Sequence, residues 1–417
     1  MQSDASLNRL KQFPRLMWVV LLGSFFTRGS YYMVWPFLAV ILYQKFALSA
    51  TEVGLILTNA ALVSVVVSFL GSALSDRIGR RKLIYFSGIL YIVSFCLLAK
   101  ADTILSYAIV ITLCSIATSL WRPLISALIG DIIEQPQTRE LAMQALYFII
   151  NAGCAIGPII GVWLGITAKQ EGFYITAVAF ALLLFFLHWG FKTQPILEAK
   201  KNTNHREPCE SALQNSTIKT TMTVLLQDRL LQCLILANIL CMFIYAQMDT
   251  SLVQYLSRAK VPELLTLISS MIFTNALVII SSQFVLLRLM SKMTLTNRIQ
   301  IGLILLFISQ LWLAFNPLTW FWGFIGAIVV MSLAEAILFP TMNVHIDRIA
   351  PNHLRGAYFG AASFYEFGYA LAPLGGGIIL DLLSGTWLFS IVAALTLLVM
   401  YLYSILETLS RGQVALE

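Results

Sequence analysis

Charge is scarce in this chain. Only 11% of its 417 residues are charged, while 59% are hydrophobic. A water-soluble protein of this length needs far more polar surface, so a soluble globular domain is excluded. Cysteine is sparse as well: there are six, and none forms a CxxC pair. Five of them (Cys96, Cys114, Cys154, Cys233, Cys241) lie in apolar stretches, where a lone cysteine acts as a small core residue. Neither disulfides nor a metal site are expected. Acids are outnumbered, 20 to 27, which leaves a net charge of +7. In so apolar a chain that surplus is sorted by loop before it is read as an affinity, and no nucleic-acid partner is expected. No HExxH, GxSxG or Walker sequence is present, and no helix pairs two carboxylates for catalysis. An enzyme is not expected, and nor is ATP as a power source or any cofactor.

What the chain has in abundance is long apolar runs. Twelve candidate spans fall at about 15–43, 52–74, 83–100, 103–132, 138–167, 171–191, 229–256, 263–289, 298–316, 318–346, 353–382 and 385–409. Each is long enough to cross a bilayer as a helix, at about 20 residues per crossing. The first fifteen residues are polar and basic, and the apolar run from Leu16 to Leu42 is too long for a signal-peptide core. It is expected to be the first span and not a removed leader. The stretch 192–228 is polar and without apolar period, so it reads as a linker. The expected organisation is a six-helix bundle over 1–191, the linker 192–228 and a second six-helix bundle over 229–417.

Lys and Arg set the orientation. With the termini and the even-to-odd loops taken together, 20 of them lie on one side, and only 5 lie in the other loops. The bias places both termini and the linker in the cytoplasm, with the chain integral to a plasma membrane, expected to be a bacterial inner membrane. The halves also repeat. "TNAALVS" at 58–64 meets "TNALVII" at 274–280, an offset of 216, and Arg139 meets Arg355 at the same offset. Six spans per half give two parallel repeats, an architecture suited to alternating access around a midplane site.

The stretch "GSALSDRIGRRKL", residues 71–83, packs Asp76, Arg77, Arg80, Arg81 and Lys82 between two apolar spans. It resembles the signature between the second and third helices of the major facilitator superfamily: a small residue, three spacers, then Asp-Arg-x-Gly-Arg-Arg/Lys. Ser72 stands where the family has its leading Gly. "GCAIGPIIG" at 153–161, with Gly153, Gly157, Pro158 and Gly161, resembles the fifth-helix signature of antiporter branches, with Val162 in place of a final Gly. "SYYMVWPFLAV" (30–40) and "LAEAILFPTMNVHIDRIAPNHLRGAYFG" (333–360) are similar to sequences of drug-efflux members. The resemblance covers essentially the whole chain. It implies an all-α membrane fold of twelve helices in two pseudo-symmetric bundles.

The same resemblance implies a cytoplasmic gate made of Asp76, Arg77, Gly79, Arg80, Arg81, Asp131 and Arg355. Asp76 would face the positive N-terminal end of the eleventh span near Arg355, and Arg77 and Arg81 would reach Asp131 and Glu134. The basic residues also serve simply to fix topology. The second half lacks the counterpart, since Lys292 stands where Asp76 would repeat.

Four charges fall deep within spans: Arg28, Arg122, Glu335 and Glu366. Arg28, about twelve residues into its span, lies roughly 18 Å in at 1.5 Å per residue. A charge at that depth faces a watery cavity or a partner. Arg28 shares a face with Tyr32 and Trp35, and Arg122 with Thr118; Glu335 shares one with Ser332 and Asn343, and Glu366 with Ser363 and Tyr369. Glu335 and Glu366 are the candidate proton carriers, and a fixed Arg–Glu bridge docking the halves is the alternative. Arg28, Tyr32, Trp35, Thr118, Arg122, Asn343 and Asp249 are the candidate cavity residues, with Asp249 toward the outer vestibule. Pairing of Arg28 with a Glu is expected, leaving a nearly neutral site.

The expected function is proton-coupled export of amphipathic small molecules, with the proton gradient as driving force. The chain is expected to work as a monomer in the lipid bilayer, with protons and a small-molecule substrate as partners. A porter of an anionic metabolite, siderophore or lipid using Arg28 and Arg122 is the alternative, and a membrane sensor or receptor is a remote one.

Overall fold

The computed structural model describes residues 10–133, 135–193, 228–290, 292–349, 358 and 362–406, with the side chains of 68–78, 136, 137, 193, 284, 287 and 347 outside that description. Helices dominate throughout. The first span is α1 (Arg15–Val34), a 3₁₀ turn at Trp35–Phe37, and α2 (Leu38–Phe46). Then come α3 (Ala50–Ile78), α4 (Arg80–Leu98), α5 (Ile104–Ile132), α6 (Pro136–Trp163) and α7 (Phe173–Thr193). The second half opens with α8 (Arg229–Ala246), a π-helical turn at Met248–Leu252 and α9 (Val253–Arg258). It continues with α10 (Leu264–Leu289), α11 (Leu295–Phe315), α12 (Phe321–Ile349), α13 (Glu366–Leu382) and α14 (Gly385–Ile405).

Among the described residues, ten helices are long and apolar enough to cross a membrane. The sequence led us to expect twelve. The difference lies in two places. The polar residues of α1, Arg28 among them, dilute its apolarity. The eleventh span carries a 3₁₀ turn at Ser363–Tyr365, which leaves α13 at 17 residues, short of the about 20 of a crossing. Proline interrupts the first span: Pro36 lies in the 3₁₀ turn, while Pro123, Pro158, Pro340 and Pro373 are carried inside helices.

Local signals explain the ends. Thr103 caps α5 in a box with Ser106, each side chain bonding the other's backbone amide. Asp228 accepts from the amides of Leu230 and Leu231 to start α8. Gly79, between α3 and α4, has φ 100°, where a residue with a Cβ is strained, so the chain can reverse there within one residue. Lys45, just before the end of α2, bonds the Ala101 carbonyl, Asp102 and Gln170 at 2.8–2.9 Å, tying three loops at one end of the first bundle.

The chain divides into two compact units. One comprises residues 1–48, 55–204 and 263–276, and the other 49–54, 205–262 and 277–417. In the first, α1 packs on α6 and α7, and α4 on α5 and α7. The buried side of α1 reads Leu16, Met17, Val20, Ser24, Thr27, Tyr31 and Val34, a helical stripe. In the second, α11 packs on α12 and α14, and α8 on α13. The divisions do not follow helix ends: the first turn of α3 belongs to the second unit, and the first half of α10 to the first.

Candidate functional site

Helix–helix contact in the first unit is made by glycine. A Cβ at Gly153 would sit 2.8 Å from the carbonyl oxygen of Phe25, and one at Gly157 would overlap the carbonyl of Gly29. Gly161 meets Met33 and Thr167 in the same way. The four-residue spacing puts all three on one face of α6, where they let the backbone of α1 approach. The structure thus places the residues of the fifth-helix signature against the turn of α1 that carries Arg28.

Arg28 is half-buried, with its guanidinium carbon 5.7 Å from the centre of the Tyr31 ring. Its contact within the first unit is aromatic. Tyr31 stacks on Trp35 at 5.0 Å, and Phe95 stacks on Tyr91, which stacks in turn on Phe180 at 3.6 Å. Thr118 donates to the Tyr91 hydroxyl at 2.9 Å, which ties α5 to this array. Tyr32 and Trp35 are half-buried, and Arg122 is exposed on α5.

The second unit holds the carboxylates. Glu335, half-buried in the middle of α12, accepts a hydrogen bond from the Tyr245 hydroxyl at 2.8 Å. Tyr245 is near the end of α8, its ring held edge-on against Phe339 at 5.0 Å. Two residues after α8 ends, the backbone widens into the π turn, marked by the bond from Leu252 N to Gln247 O. Such turns collect at functional positions. Here the turn carries Asp249, whose Oδ2 accepts from the Tyr369 hydroxyl at 3.0 Å. Tyr245 lies within electrostatic reach of Glu335, Asp249 and Tyr369 together. Two carboxylates and two tyrosines thus form one polar cluster inside an apolar bundle. The turn is braced by Ser251 donating to Gln247, and by Gln247 donating to the carbonyls of Phe243 and Ala372.

Several candidates take other places. Tyr369, grouped by helical spacing with Glu366, donates to Asp249. Glu366 is the first residue of α13, after a 3₁₀ turn at Ser363–Tyr365. Asn343, on the face of Glu335, is exposed. Tyr245 was missed: nothing in its local sequence separates it from an interfacial tyrosine, and its partner is 90 residues away.

At the gate, Asp76 and Arg77 lie in the last turns of α3 with side chains outside the described residues, and Glu134 and Arg355 lie outside them altogether. Asp131 is met by Arg80, which also donates to the Ala127 carbonyl. Arg81 lies over the Phe191 ring at 5.2 Å. Both partners of the Arg80–Asp131 pair are about a third exposed, so the pair is worth no more than about 1 kcal/mol. Asp131→Asn is expected to lower the melting temperature in detergent only slightly, and a large drop would show a deeper structural role. Among the described residues no three His, Cys, Asp or Glu side chains gather as a metal site.

A family model described as Major Facilitator Superfamily matches residues 20–367. An uncharacterised MFS-type transporter of Bacillus subtilis, YqjV, is 27% identical over 396 residues, covering 94% of this chain and 93% of the relative. A Na(+), Li(+), K(+)/H(+) antiporter of Planococcus maritimus is 26% identical over 389 residues, covering 88% and 90%. The crystal structure of the nucleoside transporter NupG matches in fold with a TM-score of 0.75 at 13% identity, over 95% of this chain and all of that one.

Proposed function

The chain belongs to the Major Facilitator Superfamily, and on that premise we propose that it is a proton-coupled secondary transporter exporting amphipathic small molecules by alternating access. It is an integral membrane transporter and not an enzyme. The finer reading rests above all on Glu335. An ionisable side chain in the middle of an apolar span is expensive and marks an ion or proton pathway. Glu335 is half-buried, accepts a hydrogen bond from Tyr245 and is grouped with Asp249, the kind of membrane-embedded carboxylates that proton relays use. The aromatic array around Arg28 supports an amphipathic substrate: Tyr32 and Trp35 offer flat apolar faces beside one fixed charge. On this reading the protein works as a monomer in a bacterial inner membrane, with both termini cytoplasmic.

A second reading is exchange of monovalent cations for protons. The antiporter relative of Planococcus maritimus favours it, and so do two carboxylates in one cluster, since hard cations take oxygen ligands.

One assay separates the readings. Everted vesicles containing the protein are acidified inside by respiration, and a quenched pH dye reports any loss of the gradient. Amphipathic cations are expected to restore the dye's fluorescence, relative to vesicles without the protein. A response to sodium or potassium chloride alone selects cation exchange. A response to carboxylates alone moves the reading to an anion porter using Arg28 and Arg122. No response to any class, with the protein folded, overturns proton coupling.

A further inference from the structure

The first turn of α3 presents four amides that the helix itself cannot satisfy. All four have partners here. The Ser49 hydroxyl accepts from Glu52 N at 3.1 Å, the Glu52 carboxylate returns the bond to Ser49 N at 2.8 Å, and Val53 N bonds the Ser49 carbonyl. That capping box is complete on its own. The two remaining amides, Ala50 N and Thr51 N, are taken by a residue 330 positions away. Asp381, one residue before the end of α13, accepts from Ala50 N through Oδ1 at 2.9 Å and from Thr51 N through Oδ2 at 2.7 Å.

The surrounding contact is made for close approach. A Cβ at Gly377 would overlap the Ala50 carbonyl, and one at Gly54 would overlap the Pro373 carbonyl. This is why residues 49–54 belong to the second unit although the rest of α3 belongs to the first. The internal repeat offers a comparison. Residues 263–276, the start of α10, belong reciprocally to the first unit, where Ser269 donates to the Pro158 carbonyl at 3.5 Å. At the 216-residue offset Asp381 corresponds to Gly165, so that contact has no matching carboxylate. The equivalent of Asp381 is thus present in only one of the two repeated contacts.

A carboxylate on first-turn amides makes charge-assisted bonds and meets the positive end of the helix. It is also dispensable to the helix, because Ser49 and Glu52 already cap it. Losing Asp381 frees two amides to water without unwinding α3. From this we infer that Asp381 is a positioning residue of the transport cycle: it clasps the start of α3 to α13 in one conformation and releases it in another. The inference rests on alternating access and not on what is carried.

The test needs no substrate. Hydrogen exchange is measured by mass spectrometry on the full chain, with peptides covering 48–55. In parallel, Val53, fully buried in the clasped state, is changed to Cys in a background without the native cysteines, and its labelling by a membrane-impermeant maleimide is followed. Asp381→Ala removes both acceptors and is expected to speed exchange at Ala50 and Thr51 at least tenfold and to raise labelling of Val53→Cys severalfold. Asp381→Asn keeps one acceptor oxygen and falls between, and Asp381→Glu restores protection. Glu52→Ala breaks the capping box alone and leaves labelling unchanged. Faster exchange without extra labelling would make Asp381 a mere cap and overturn the clasp, as would no change in either. Should Asp381→Ala fail to fold, the graded pair Asp381→Asn and Asp381→Glu decides. Because no proton movement is read, failure here is distinct from failure of the transport reading.

Discussion

Glu335→Gln is expected to insert in the membrane and bind ligand normally while losing proton-driven transport by at least about 100-fold, equivalent to ~2.7 kcal/mol of lost driving interaction. Gln has nearly the shape of Glu and still accepts the hydroxyl of Tyr245, which donates at 2.8 Å in the native protein. What it cannot do is take up and release a proton. The effect should therefore fall on coupling and not on assembly. Tyr245→Phe removes one hydrogen bond to a carboxylate, worth about 1.5–3 kcal/mol. Much of that is recovered by water reaching a half-buried site, so a loss of roughly tenfold is expected. Asp249→Asn tests whether the second carboxylate of the cluster shares the proton. Dequenching in everted vesicles measures all three, with a ligand-induced rise in melting temperature as the check on binding. Full pH-driven exchange by Glu335→Gln, with Glu366→Gln inactive, would move the carrier role to the start of α13.

The elements legible in the sequence were those set by composition along one helix. Apolar runs, the Lys and Arg bias, and the glycines spaced by four at 153, 157 and 161 are local patterns, and a bilayer leaves few ways to satisfy them. The breaks in the first helix of each repeat were legible only in part. Pro36 announces the 3₁₀ turn after α1, but the π turn "MDTSL" contains neither proline nor glycine. It forms where Ser251 and Gln247 bond each other and α13 approaches closely at Gly376, a tertiary cause invisible in a single stretch. Partner choice was the least legible feature. Spacing put Tyr369 on the side of Glu366, yet its hydroxyl reaches Asp249, 120 residues away. At the gate, Arg80, one of four adjacent basic candidates, is seen to meet Asp131, a choice that spacing alone does not make. Asp381 drew no notice, because an acid at a helix end is ordinary until the amides it faces are known.

Substituting the glycines at the helix crossings is expected to cost the fold itself. A Cβ at Gly157 would overlap the Gly29 carbonyl, and a Cβ at Gly368 would overlap the carbonyl of Ile239. These are equivalent crossings, α6 on α1 in one unit and α13 on α8 in the other. In both the obstacle is backbone, which cannot rotate away as a side chain does. Overpacking a core costs about 1–3 kcal/mol where side chains can adjust, so Gly157→Val and Gly368→Val should each exceed that range. Gly130, by contrast, lies inside α5, and a methyl group added there would have nothing within 4 Å. Gly130→Ala meets no steric cost and removes a flexible residue from a helix, a gain of up to about 1 kcal/mol. The three variants therefore separate helix propensity from helix contact. Yield of monodisperse protein after detergent extraction, followed by a thermal melt, measures both. Gly157→Val is expected to give little or no folded protein, because displacing α1 also disturbs the turn that holds Arg28 against Tyr31. Native yield and melting temperature for Gly157→Val would mean that α1 and α6 are not held at backbone contact, and that the glycine spacing of α6 serves some other purpose.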